Sequence, residues 1–206
     1  MTMIEGIYPI SLGMVKAFLI ESDVKLVLVD TGFSPDHAKV ILDKARGLGR
    51  SPEDVEFCII THRHGDHIGG LKTLKEICNF KVASHEEEAE LIESASGVKI
   101  DLKLKDRQIL PMAGGIQAVN VPGHTSGNLT LYLPGKKVIL AGDTIFGDDQ
   151  GNLSPPPERY CDDVDMATEE IKRLLDLDFD SILLSHGKDI LEGGKEKLKD
   201  LINEYC

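Results

Sequence analysis

The chain is 206 residues long, 41% hydrophobic, and carries 35 acidic against 23 basic residues, a formal net charge of -12. That length can bury a substantial core and suits one domain, expected to span residues 1–206. The acidic balance argues against tight binding to a phosphate backbone, no apolar run approaches the roughly 20 residues of a spanning helix, and "MTMIEGIYPI" has no basic segment leading an apolar one. The expectation is a cytoplasmic protein with a small-molecule partner, engaging neither nucleic acid nor membrane, its oligomeric state left open.

Short β-type runs alternate with helical ones. "KAFLIES" and "KLVLVDTG" read as strands, residues 35–46 as a helix and "VEFCIIT" as another strand. Residues 71–78 are helical in spacing, "FKVASH" is a strand and "EEEAELIESA" a helix. "IQAVNVPGH", "NLTLYL" and "KKVILAGDTIF" follow as strands, the last two joined by a turn at Pro134 and Gly135. Successive prolines hold "LSPPPERY" extended, "DVDMATEEIKRLLDL" has helical spacing, "SILLSHG" is a final strand and "GKEKLKDLINEY" a final helix. No fixed-period repeat or low-complexity linker marks a boundary. Hairpin and crossover signals are intermixed, which points to mixed sheets with helices outside, an α/β (α+β) class.

The unusual polar residues share one placement. Asp30 follows "KLVLV", His62 follows "VEFCII", His124 follows "AVNVPG", Asp143 follows "KVILAG" and His186 follows "SILLS", each just past an apolar strand. A lone histidine or aspartate there is usually a turn former or a helix cap, but a set of them at the strand ends of a layered core lies where sites are built. The densest is "THRHGDHIGG". In extended backbone His62 and His64 point the same way and can grip one metal ion, while Gly65 permits a turn that aims Asp66 and His67 elsewhere. Two grips suggest two ions. Imidazole and carboxylate suit zinc, iron or manganese, and paired ions roughly 3.5–4 Å apart acidify a shared water and clamp a reacting carbonyl or phosphoryl group. A closed structural zinc site would instead favour a cysteine-rich set, and none of Cys58, Cys78, Cys161 and Cys206 neighbours the cluster in sequence.

Other residues take simpler readings. Cys58 is expected as a small core residue, Cys161 and Cys206 as exposed thiols. His85 precedes three acidic residues that open a helix and is read as a cap, and His37 as a solvated helix residue. Thr125 and Ser126 default to backbone hydrogen bonding in their loop. Gly69 and Gly70 are expected to let the following helix approach the metals.

H-x-H-x-D-H at His62 to His67, a distant His124, an aspartate after "AG" and a histidine in "SHG", with "VDTG" near the start, resembles the metallo-β-lactamase superfamily in its glyoxalase II-like hydrolase branch. The resemblance runs from Asp30 to His186 and implies a four-layered αββα sandwich with the site at one edge. It implies that His62, His64 and His124 hold the first metal and Asp66, His67 and His186 the second, bridged by Asp143. Asp30 would orient the cluster loop by hydrogen bonding to a ligating histidine.

Departures from named subfamilies narrow the expectation. Glyoxalase II enzymes carry a C-terminal helical domain, whereas about twenty residues follow His186 here, enough for one helix. True β-lactamases generally lack the bridging aspartate that Asp143 supplies. Acyl-homoserine lactonases have a tyrosine where this chain has Phe146, and flavodiiron proteins a glutamate in place of His64. The expected activity is a binuclear metal-dependent hydrolase, zinc being the default and iron or manganese the alternatives. It would attack an ester, thioester or lactone-type carbonyl through a metal-bridging hydroxide, with Asp66 handling the proton. The alternative is a persulfide dioxygenase using a single iron. The substrate pocket is expected around Phe33, Phe146 and "NLSPPPERY".

Overall fold

The structure, a computed structural model, describes residues 4–206; residues 1–3, at the start of the segment inspected for a leader, lie outside the described residues. The chain folds as two compact units that divide between Leu104 and Lys105.

The N-terminal unit is built on one sheet of β1 (Ile7–Ser11), β2 (Lys16–Ser22), β3 (Lys25–Val29), β4 (Val55–Ile59), β5 (Lys81–His85) and β6 (Leu102–Leu104), side by side in chain order. The first two pairings are antiparallel hairpins and the rest are parallel, so the sheet is mixed as the turn signals foretold. Parallel pairing needs crossovers, supplied by α1 (His37–Gly47), by α2 (Gly65–Ile68) with α3 (Leu71–Ile77), and by α4 (Glu86–Ser96). In α1 the buried residues are Ala38, Ile41, Leu42 and Ala45, one apolar stripe at helical spacing. They pack with Leu26 and Leu28 of β3 and Leu71 and Leu74 of α3 in a single core cluster. Each such leucine or isoleucine contributes about 1.5–3 kcal/mol of burial.

The C-terminal unit contains β7 (Ile109–Leu110), β8 (Ile116–Asn120), β9 (Leu129–Leu133), β10 (Val138–Leu140), the short pair β11 (Phe146–Gly147) and β12 (Leu153–Ser154), α5 (Val164–Glu170), β13 (Ser181–Leu183) and α6 (Gly194–Tyr205). Its main sheet has the order β13-β10-β9-β8-β7. Because β9 is antiparallel to both β8 and β10, and β13 is parallel to β10, strands β8, β10 and β13 all run the same way. Ile139, Ile182, Ile171, Leu174 and Leu198 belong to the core that these strands share with α6 and the segment after α5.

The structure departs from the sequence expectations at several elements. The run "KKVILAGDTIF" is not one continuous strand: Val138–Leu140 forms β10, the chain then leaves the sheet through Gly142 at φ +54°, and Phe146 opens the separate short strand β11. The helix expected over "DVDMATEEIKRLLDL" relaxes after Glu170 into a tighter 3₁₀ segment, Ile171–Asp176. "LSPPPERY" contributes β12 before its prolines and a 3₁₀ turn, Glu158–Tyr160, after them. Strand β1 carries Pro9, which is tolerated because β1 lies at the sheet's edge. Among the described residues no helix is long and apolar enough to cross a membrane.

Candidate metal centre

In the N-terminal unit the cluster loop is held by Asp30, the first residue past β3, which adopts a left-handed backbone at φ +60°. Its Oδ1 accepts from the Thr61 backbone N–H at 2.9 Å, and its Oδ2 accepts from the Thr61 hydroxyl at 2.9 Å and from His67 Nδ1 at 2.8 Å. Thr61 Oγ1 in turn lies 3.1 Å from His62 Nδ1. With its hydroxyl proton given to Asp30, Thr61 can only accept from His62, so both imidazoles carry a proton on Nδ1, and Nε2 is the nitrogen that can ligate. Asp30, Thr61, His62 and His67 are all at most 1% exposed.

The alternation expected of H-x-H is present. His62 and His64 meet edge to face with centroids 4.7 Å apart, and their ligand atoms lie within 4.8 Å. Arg63 between them turns the other way: its backbone N–H donates to Glu88 Oε2 at 2.9 Å and its guanidinium to Oε1 at 3.0 Å. Glu88 is fully buried on α4, so this bidentate pair anchors the loop from behind. His64 is the extended N-cap of α2, and one helical turn carries Asp66 and His67 to a second direction, with Asp66 Oδ2 3.7 Å from His67 Nε2. That turn does not depend on the freedom of Gly65, which lacks a positive φ and has open space where a Cβ would sit.

Gly69 and Gly70 allow a close approach of backbone to backbone. A Cβ on Gly69 would collide with the Phe33 backbone, and one on Gly70 would lie 2.5 Å from Thr31 O. The Thr31–Phe33 stretch is stitched to the end of α2 by Thr31 N–H to His67 O at 2.8 Å and Gly69 N–H to Gly32 O at 2.6 Å. These glycines let the loop carrying Asp30 press onto the loop carrying His67.

In the C-terminal unit His124, Asp143 and His186 follow β8, β10 and β13, and the common direction of those strands gathers them at one edge. Asp143 Oδ2 lies 3.3 Å from His124 Nε2 and 3.5 Å from His186 Nε2. Buried bonds fix the loop after β10: Asn128 Nδ2 donates to Thr144 Oγ1 at 2.8 Å, and Thr130 Oγ1 lies 2.9 Å from the same oxygen. Phe146 stacks flat on His186 at 4.8 Å and 2°. Asn128, Thr130, Thr144 and Glu88 carried no sequence signal of their own; their roles appear only when strands pair. The candidate ligand atoms are ring nitrogens and carboxylate oxygens, a set that fits zinc, iron or manganese.

The cysteine expectations divide. Cys58 is fully buried and its thiol is pushed well up by burial, as suits a core residue. Cys161, expected as an exposed thiol, is instead half-buried, and its Sγ lies 3.8 Å from His124 Nδ1. Burial, with Asp143 adding, pushes its thiol up to about 11, so it remains protonated near neutral pH. His85 acts as the expected cap, its Nδ1 accepting from Glu87 N–H at 3.3 Å.

Comparison with known proteins agrees with this anatomy. The family model of the metallo-beta-lactamase superfamily matches residues 10–186. "Probable metallo-hydrolase YflN" of Bacillus subtilis is 24% identical over 223 residues, covering 89% of this chain and 84% of that protein. A hydroxyacylglutathione hydrolase of Bartonella henselae is 39% identical over 107 residues, 52% of this chain and 40% of its own length, so the chain spans less than half of that relative. Among solved structures, a metallo-beta-lactamase from Pontibacter korlensis superposes with a TM-score of 0.81 at 19% identity, covering 98% of this chain and 96% of that one. The fold is therefore the metallo-β-lactamase fold expected from the sequence. With that family model matched over most of its length, the chain belongs to the metallo-β-lactamase superfamily.

Proposed function

We propose that the protein is a hydrolase that uses two divalent metal ions to cleave an ester, thioester or lactone-type carbonyl in a small molecule. In this reading His62, His64 and His124 hold one ion, Asp66, His67 and His186 hold the other, and Asp143 is shared. Zinc is the default from the imidazole-rich donors, with iron or manganese as alternatives. The observation that carries the reading is the position of Asp143 Oδ2, within 3.3 Å and 3.5 Å of the Nε2 atoms of His124 and His186. One carboxylate oxygen addressed by a histidine from each set is what a shared ligand requires. The relative named for hydroxyacylglutathione hydrolysis supports the reaction type, but it is matched over only 40% of its length, and glutathione recognition is not carried over.

Two divalent ions held by these residues would supply an acidified water and Lewis-acid polarisation of the carbonyl oxygen. The chain's own residues prepare for that chemistry. Asp30 and Thr61 accept from Nδ1 of His67 and His62 and so aim both rings through Nε2. Asp66, whose side chain is 36% exposed beside a fully buried His67, is the carboxylate able to take a proton and release it to solvent. A cytoplasmic location, with no nucleic-acid or membrane partner, belongs to the same reading.

The test is turnover of a panel of esters, thioesters and lactones by the zinc-loaded protein and by His62→Ala and His67→Ala. Both variants should lose hydrolysis yet unfold cooperatively, because the two cores are built without metal. Full activity in either variant overturns the assignment, and unfolding of both would make the metal structural.

A further inference from the structure

Cys161 makes contacts that determine its hydrogen-bonding roles. Its Sγ lies 3.5 Å from Pro157 O and 3.9 Å from Pro156 O, as well as 3.8 Å from His124 Nδ1. Carbonyl oxygens only accept, so the single S–H proton is directed to them and the sulfur can meet the imidazole only as an acceptor. The His124 proton then resides on Nδ1, and Nε2, the nitrogen 3.3 Å from Asp143 Oδ2, presents a lone pair. We propose that Cys161 is a positioning residue for His124: its sulfur accepts the Nδ1–H, fixing the tautomer and aiming the Nε2 lone pair at the metal. The inference rests on the reading that His124 holds an ion. The thiol is not itself a ligand, because it meets the ring at Nδ1, whereas Asp143 meets it at Nε2.

The role matches that of Asp30 and Thr61 toward His67 and His62, carried out by a softer and weaker acceptor. It does not rely on the thiol to shape the loop. Asp162 N–H donates to His124 O at 3.1 Å and Asp163 N–H to Gly123 O at 2.9 Å, so the backbone alone keeps the two loops together. Gly123, at φ +118°, has its Cα face closed by the Ala167 backbone of α5, which fixes the loop from a third side. Removing the sulfur should therefore leave the scaffold standing and free the ring.

The experiment uses zinc-loaded protein labelled with ¹⁵N at histidine, with zinc affinity measured by chelator competition. In the wild type His124 should bind zinc through Nε2 and show a slowly exchanging Nδ1–H. In Cys161→Ala that proton should exchange faster and zinc affinity should fall about tenfold, the lower end of the range for a lost partner of a metal ligand. Cys161→Ser, which keeps both hydrogen-bonding roles on a shorter side chain, should lie between the two. A wild-type His124 protonated on Nε2 overturns the proposal whether or not any variant folds. So does an alanine variant with unchanged exchange and affinity, or a serine variant indistinguishable from a weakened alanine variant. Zinc bound through His124 with no effect of Cys161 leaves the hydrolase reading intact, whereas failure of His124 to engage zinc at all overturns both.

Discussion

Asp30 Oδ2 accepts the Nδ1 proton of His67 across 2.8 Å, although the two residues are 37 positions apart and Asp30 holds a left-handed backbone to make the bond. Such a conformation costs a non-glycine residue roughly 1–2 kcal/mol. The same carboxylate takes the Thr61 backbone and hydroxyl protons, so one strained residue orders the whole entry to the cluster.

Asp30→Asn keeps the shape and tolerates the left-handed backbone, but it turns an acceptor toward an amide donor facing His67 Nδ1–H. The variant should fold, lose about 1–3 kcal/mol of stability, and bind zinc about 10–100-fold more weakly. Thermal unfolding and chelator competition measure the two effects; unchanged zinc affinity would show that Asp30 does not orient a ligand.

On the proposed reading, in which two donor sets share Asp143, native protein should contain close to two transition-metal ions per chain. Elemental analysis of protein purified without added metal decides this. One tightly bound iron, with oxygen-dependent turnover of glutathione persulfide, would move the assignment to the dioxygenase alternative.

Asp143→Asn offers a neutral, poorer ligand of the same shape. Occupancy should fall more at the proposed site of His67 and His186 than at the proposed three-histidine site, because a shared carboxylate would offset the repulsion between two cations. Hydrolysis should fall steeply, and the remainder should need higher pH, since water on one ion is less acidified than water held by two. Unchanged two-metal occupancy together with an unshifted pH–rate profile would refute the bridging role.

Gly69→Ala should destabilise the protein by about 3 kcal/mol, near the upper end for overpacking, because its Cβ would meet fixed Phe33 backbone rather than a movable side chain. Gly65→Ala, with open space at the Cβ position and no positive φ, should change stability by less than about 0.5 kcal/mol or raise it slightly. Denaturant unfolding of the two variants side by side checks the contrast; equal stabilities would mean that the Asp30 and His67 loops are not pressed together through Gly69.

The amino-acid sequence by itself determined the long elements and the donor types. The runs that became β2, β3, β5 and α4 are continuous over five or more residues, so apolar periodicity was enough to place them. His62, His64, Asp66 and His67 were legible because four donors crowd one turn after a buried strand, and H-x-H geometry is local. Strands of two or three residues, such as β7, β11 and β12, have no period to read and exist only through their partners. Tertiary structure alone decided which groups hold the donors. Glu88 behind Arg63, Asn128 and Thr144 beneath Asp143, and Cys161 against His124 join residues 25, 16 and 37 positions apart. Hydrogen bonds are short-ranged and directional, so a partner that distant in sequence acquires its role only after strand pairing and loop packing bring the atoms within reach.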